Sequence, residues 1–232
     1  MSADTLAAVL WDMDGTLIDS EPLWLEAELA VLNRYGLTMT PELRDQLIGS
    51  GLWDAAERFR SLGVPLSADE IVAEWAARVG AGLAQGEPEW RPGAREVLAS
   101  LRESGIPCAL VTMSVRSLAD QVVSLLPEGS FTVVVAGDEV DHPKPHPEPY
   151  WRAAAALGVP VEACLALEDS GTGLRSAAAA GAVAVGIPNL LDLSDAPAHE
   201  RWQTLAGQDA EGLRHAFARL RSSTPRPIAH AG

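Results

Sequence analysis

The sequence predicts an α/β protein: a doubly wound parallel sheet interrupted after its first strand by a helical insertion. Three observations lead there. An apolar run at residues 6–11 stops at acidic and glycine positions, as a buried strand does where it enters a loop. From residue 88 onward, short apolar runs alternate with helical segments, the pattern of a parallel sheet with helices on both faces. Between the two, residues 20–85 carry helical periodicity and no convincing strand.

The first strand is read over residues 6–12. Residues 21–35 then place Leu25, Leu29 and Leu32 at helical spacing, with Gly36 as C-cap. Thr40-Pro41-Glu42 suits a helix start, because proline is tolerated at the first helical position. In residues 67–83, Ile71, Trp75 and Val79 recur every four residues behind a Ser67/Glu70 capping box. The segment 85–89 (Gln-Gly-Glu-Pro-Glu) punctuates the chain and marks a boundary. Beyond it come an amphipathic helix at 93–103, a buried strand at 108–112, another at 131–136 and a helix at 149–157. Two more strands follow at 163–167 and 182–187, with an alanine-rich helix between them. This reading assigns a Rossmann-like core to 1–18 and 88–222, a helical insertion to 19–87 and a mobile tail to 223–232. No internal repeat is visible.

The chain has 232 residues, 47% of them hydrophobic, enough to bury a sizeable core. Its 32 acidic and 17 basic residues leave a formal charge of −15. Such a field disfavours nucleic acid and anionic membranes, and repels a phosphorylated ligand unless the site gathers positive charge of its own. Cys108 and Cys164 each open an apolar run, where inert buried thiols are common. Two cysteines make no disulfide framework, so a reducing cytoplasm fits. The N-terminal apolar stretch has no basic flank and ends at Asp12, so it reads as neither signal peptide nor membrane span.

Chemistry-bearing residues cluster where strands end. Asp12-Met13-Asp14-Gly15-Thr16 follows the first strand. Two carboxylates one residue apart repel each other and are costly to desolvate. At the carboxyl edge of a parallel sheet, where ligands bind, they call for a cation or a reacting group. Asp14-Gly15 also suits a hairpin turn, and simple solvation of two surface aspartates stays open. A calcium loop is excluded, because it needs its glycine sixth and Gly15 is fourth from Asp12. The strand at 108–112 delivers Thr112, and Ser114 follows, read either as a helix N-cap or as a second hydroxyl for the substrate. Lys144 lies between two prolines on stiffened backbone, offering a compact charge for a phosphate or a carboxylate; a solvated loop lysine is the alternative. Glu168-Asp169 follows the next strand, with Gly171 and Gly173 beyond. A dinucleotide fingerprint is excluded, since position 176 is serine. Hard oxygen ligands at two strand ends suit Mg²⁺.

With these residues in view, the sequence resembles the haloacid dehalogenase superfamily, in the phosphatase and phosphomutase branch with a helical cap after the first strand. The likeness runs from Leu6 to about Pro188 and includes all four family motifs. It implies Asp12 as nucleophile and Asp14 as general acid/base, with the Asp14 main-chain carbonyl on the metal. It further implies Thr112 and Lys144 as phosphoryl-binding residues, and Glu168 and Asp169 as the acidic pair for Mg²⁺, Asp169 the stronger candidate for direct contact. Asp19-Ser20-Glu21-Pro22-Leu23 is similar to the family's hinge into its cap. The expected activity is hydrolysis of a small phosphorylated metabolite through an aspartyl-phosphate, with the cap excluding bulk water. Asp14 argues against dehalogenase activity, and the absence of lysine from 20–85 argues against phosphonate cleavage. A β-phosphoglucomutase is the rival enzyme, weakened because the loop read at 48–54 has no basic residue. A non-enzymatic phosphate-binding module would need a missing catalytic position, and none is missing.

Overall fold

The computed structural model describes residues 5–225, apart from the side chain of residue 45. It divides into two compact units, Met1–Asp19 with Glu89–Gly232, and Ser20–Pro88. In chain order, β1 (Ala8–Trp11) is fully buried, and β2 (Ile18–Asp19) follows at once. The second unit then holds four helices: α1 (Glu21–Arg34), α2 (Pro41–Leu47), α3 (Leu52–Ser61) and α4 (Ala68–Leu83). The chain continues with β3 (Glu89–Trp90), α5 (Ala94–Glu103), β4 (Cys108–Val111), α6 (Arg116–Ser124) and β5 (Val133–Val135). It closes with α7 (Glu148–Leu157), β6 (Cys164–Glu168), α8 (Gly171–Ala180), β7 (Val183–Gly186), β8 (Glu200–Arg201) and α9 (Ala210–Leu220).

Six strands form one sheet in the order β5-β4-β1-β6-β7-β8. Every pairing in it is parallel. Because β1 is flanked by β4 and β6, the residues following those three strands emerge side by side. Leu110 and Leu167 both pair with Trp11, so Val111, Asp12 and Glu168 lie at one level of the sheet edge and Thr112 follows one residue beyond it. Ala8 and Leu10 of β1, Ala109 and Val111 of β4, and Ala166 of β6 share a core with Tyr150, Ala153, Leu174 and Ala177 of α7 and α8. Side-chain alternation along the strands sends buried Val9, Trp11, Leu110, Leu165 and Leu167 to the opposite face. Burying each leucine or valine favours the fold by ~1.5–3 kcal/mol before entropy is counted.

In the helical unit the Ser67/Glu70 capping box is made in both directions at the start of α4. Thr40 accepts from the Leu43 N–H, with Pro41 opening α2. Ile71 and Trp75 are buried, and Trp75 meets Phe59 of α3 edge to face at 4.8 Å.

Several sequence expectations need correction. Leu52–Asp54 are not loop but the first turn of α3, so the loop read at 48–54 ends at Gly51. Ser114 is not an N-cap; Val115 precedes α6. The boundary at 85–89 runs directly into β3, which pairs antiparallel with β2, a ribbon too short for any periodicity to announce. The tail read at 223–232 falls outside the described residues from 226 on.

Candidate active site

Asp12 follows β1 and anchors its own backbone on the Leu167 carbonyl at 3.0 Å. The residue is 7% exposed. Lys144 reaches it from the loop after β5, and all three ammonium protons are engaged: Asp12 Oδ1 at 2.8 Å, the Val111 carbonyl at 2.8 Å and Glu168 Oε1 at 2.6 Å. Burial pushes the Asp12 carboxyl up to about 7, the charge of Glu168 adds to the rise, and Lys144 opposes it. Burial alone would lower the Lys144 ammonium, but the charges of Asp12 and Glu168 outweigh it and raise the pKa. Lys144 is the only lysine in the chain.

Glu168 closes β6 with no exposed surface. Besides Lys144, its Oε1 accepts from the Tyr150 hydroxyl, and its Oε2 accepts from Ser170 Oγ at 3.3 Å. A Cβ at Gly173 would overlap the Glu168 carboxylate, so α8 can begin this close only because that residue has no side chain. Ser170 also caps α8 through the Gly173 N–H at 3.0 Å.

Asp14 is held by two hydroxyls on one oxygen. Ser114 Oγ donates to Oδ2 at 2.7 Å and Thr112 Oγ1 donates to it at 3.2 Å, while Thr112 Oγ1 accepts from the Ser114 N–H at 3.0 Å. Both hydroxyls, expected to serve the substrate, therefore orient Asp14 here. Asp12, Glu168 and Asp169 each bring a carboxylate oxygen within 4.8 Å of the others'. Gly15, at φ +80°, packs so close to Asp169 that a Cβ there would overlap Asp169 Oδ2. Three carboxylates crowded together, balanced by one ammonium and offering only hard oxygens, fit a divalent cation of the Mg²⁺ type.

Sequence reasoning missed two residues. Tyr150 lies inside α7, where an aromatic reads as core, and only the tertiary structure puts its hydroxyl on Glu168. Asn189 follows β7; its Nδ2 is buried without a protein partner and would lie 3.3 Å from a Cβ on Gly15, beside Asp169. Cys108 and Cys164 are free and buried, and burial pushes both thiols up to about 12, as inert core sulfurs.

Fold and site together define an α/β enzyme whose acidic crevice lies at the carboxyl edge of a parallel sheet, beside its central strand. The model of the haloacid dehalogenase-like hydrolases matches residues 9–187, and the chain belongs to that family. It is 33% identical to hexitol phosphatase B of Escherichia coli K12 over 191 residues, covering 79% of this chain and 84% of that one. It is 34% identical to the phosphorylated carbohydrates phosphatase of Thermotoga maritima over 187 residues, 76% of this chain and 82% of that one. A crystal structure of CbbY from Rhodobacter sphaeroides in complex with xylulose-(1,5)bisphosphate superposes with a TM-score of 0.78 at 29% identity, over 90% of this chain and 99% of that one. Among the described residues no helix is long and apolar enough to cross a membrane.

Proposed function

We propose that this protein is a Mg²⁺-dependent phosphatase that hydrolyses a small phosphorylated metabolite of the sugar-phosphate class through an aspartyl-phosphate on Asp12. The observation that carries the reading is the pairing of Asp12 Oδ1 with Lys144 at 2.8 Å, two positions before an Asp14 fixed by two hydroxyls. The relatives named as phosphatases of hexitol and carbohydrate phosphates support the substrate class.

Asp12 Oδ2, opposite the oxygen held by Lys144, attacks phosphorus in line. An O–P bond to Asp12 forms as the bond to the leaving oxygen breaks. Asp14 donates its proton to that oxygen, then takes one from the water that attacks the aspartyl-phosphate and restores Asp12. Because Thr112 and Ser114 hold Oδ2, the proton is assigned to Asp14 Oδ1. Lys144 opposes the rise that burial and Glu168 impose on the Asp12 carboxyl, and so favours its ionised, nucleophilic form. Asp12, Asp169 and the Asp14 main-chain carbonyl would hold Mg²⁺, which when bound supplies positive charge to the phosphoryl oxygens. Glu168, with its oxygens engaged by Lys144, Tyr150 and Ser170, anchors Lys144. Choice among substrates is assigned to the helical unit 20–88.

The test is Mg²⁺-dependent phosphate release across a panel of phosphorylated metabolites, with mass spectrometry of the peptide containing Asp12 after rapid quenching. Release together with a phosphoryl adduct on Asp12 is expected, and Asp12→Asn should lose both while staying folded. An Asp12→Asn variant that keeps its activity refutes the assignment. Bisphosphate-dependent interconversion of sugar phosphates without net release would make the protein a mutase instead.

A further inference from the structure

We propose that His142, His146 and Glu148 form a binding site for a transition-metal ion of the Zn²⁺ class, on the outer side of the loop that carries Lys144. Each of the three brings one ligand atom within 4.8 Å of the others'. Two imidazoles and one carboxylate suit a borderline ion such as Zn²⁺ and ill suit Mg²⁺, which selects oxygen. The site differs in chemistry as well as in residues from the all-carboxylate cluster at Asp12.

The loop is already shaped for binding. The His142 and His146 rings stand 4.6 Å apart with their planes 33° from parallel, and Trp151 meets the His146 ring edge on at 6.0 Å. Prolines at 143, 145 and 147 fix φ between the ligands. The backbone is fastened where it matters. The His146 N–H donates to the Pro143 carbonyl at 2.9 Å, Ser176 Oγ donates to the His146 carbonyl at 2.6 Å, and the Asp141 and His142 N–H groups both donate to the Glu148 carboxylate at 3.0 Å. Both histidines are exposed while Lys144 between them is buried, so an ion reaches this face from solvent without entering the crevice.

His142 Nδ1 lies 2.8 Å from Glu148 Oε2, a contact that a ring proton bridges when no metal is bound. On binding, that N–H bond breaks, the ring stays neutral by carrying its one proton on Nε2, taken up from solvent as the Nδ1 proton is released, and Nδ1 and the carboxylate oxygen share the ion instead. Arg152 touches Glu148 from the other oxygen, Oε1, at 3.4 Å, which leaves Oε2 facing the rings. The Glu148 N–H donates to His146 Nδ1 at 3.2 Å, a long bond that coordination at that nitrogen would replace. Three protein ligands leave a position for water, the mark of an open, exchangeable site. The ion would tie the two ends of the Lys144 loop to the first turn of α7.

The experiment uses the full chain without an affinity tag, in excess Mg²⁺, and measures Zn²⁺ binding by titration calorimetry together with the thermal midpoint. One Zn²⁺ per chain and a raised midpoint are expected, since an ion that binds only the folded state stabilises it. His142→Ala and His146→Ala should each weaken binding by at least about tenfold, the loss that even an outer-shell partner can cause, and abolish the rise. Asp169→Asn should leave both intact. The absorption spectrum of the Co²⁺-loaded unaltered chain gives a second reading, independent of whether the variants fold: imidazole-ligated Co²⁺ is expected, and an octahedral all-oxygen spectrum would overturn the proposal. So would absence of binding, binding as tight in both histidine variants as in the unaltered chain, or loss in Asp169→Asn alone.

Discussion

Replacing Tyr150 with phenylalanine isolates one hydrogen bond at the base of the site. The ring is fully buried and Phe has the same shape, so packing survives. Lys144 Nζ lies 5.3 Å from the ring centroid, and that contact survives too. What disappears is the donor to Glu168 Oε1, a carboxylate with no exposure to water. A hydrogen bond to a charged group contributes ~1.5–3 kcal/mol. Lys144 at 2.6 Å and Ser170 at 3.3 Å still serve Glu168, which puts the expected loss at the lower end, about 1.5–2 kcal/mol. In a chain of this size that corresponds to a thermal midpoint lower by about 3–8 °C. The pH dependence gives an independent check. Burial first, and the charge of Glu168 second, raise the Tyr150 pKa well above that of a free phenol. Above about pH 10 the unfolded chain therefore loses a proton that the folded chain keeps, and wild-type stability falls as pH rises. Tyr150→Phe lacks that loss, so the two stability curves should approach each other above pH 10. Urea and thermal unfolding from pH 7 to 11 measure both effects. A gap under about 0.5 kcal/mol at pH 7, or one that stays constant to pH 11, would refute the reasoning.

Gly15→Ala places a Cβ on Asp169 Oδ2 at φ +80°, so it should cost ~1–2 kcal/mol in backbone strain and weaken Mg²⁺ binding by calorimetry. Gly36→Ala, at φ +70° with nothing within 4 Å, should show the strain with Mg²⁺ affinity unchanged. In the helical unit, the Glu74 carboxylate is held below its usual pKa chiefly by Arg34, with Arg78 helping against partial burial. The stabilisation is then present above the unfolded value of about 4.3 and lost as pH falls through the lower folded one. Glu74→Gln should cost ~0.2–1 kcal/mol at pH 7, with the gap to wild type closing below pH 4 in thermal melts.

What was legible in the sequence is what local chemistry writes there. Asp12, Asp14, Thr112 and Glu168 stand out because apolar strands end at them, and the α4 capping box because Ser67 and Glu70 lie three apart. A further signal lay unused: Lys144 is the chain's sole lysine, so every other basic side chain is arginine and a compact ammonium occurs only in the site. The rest is tertiary. The first N–H of α6, that of Arg116, is capped by Asp138 at 2.9 Å from 22 residues away, which no local pattern records. The helix α3 starts at Gly51, whose missing side chain gives no capping signal. Tyr150 and Asn189 face the site only because α7 is folded against β1, β4 and β5 and the turn after β7 comes beside Gly15.

The counting of charges decides how such a site could receive a phosphoryl group on a chain of net charge −15. Lys144 has no proton to spare. Each of its three N–H groups already meets an acceptor at 2.6–2.8 Å, and the strongest of these contacts is to Glu168, which is wholly buried. A phosphoryl oxygen could win a proton of Lys144 only by displacing one of those partners, and on the proposed route Asp12 is the partner whose negative charge would be consumed as its oxygen bonds to phosphorus. On that route the ammonium would follow charge from Asp12 toward the phosphoryl group as the bond forms, a preorganised response rather than a ground-state anchor. Ground-state attraction must come from elsewhere, and the crowding of Asp12, Glu168 and Asp169 is where a cation would supply it.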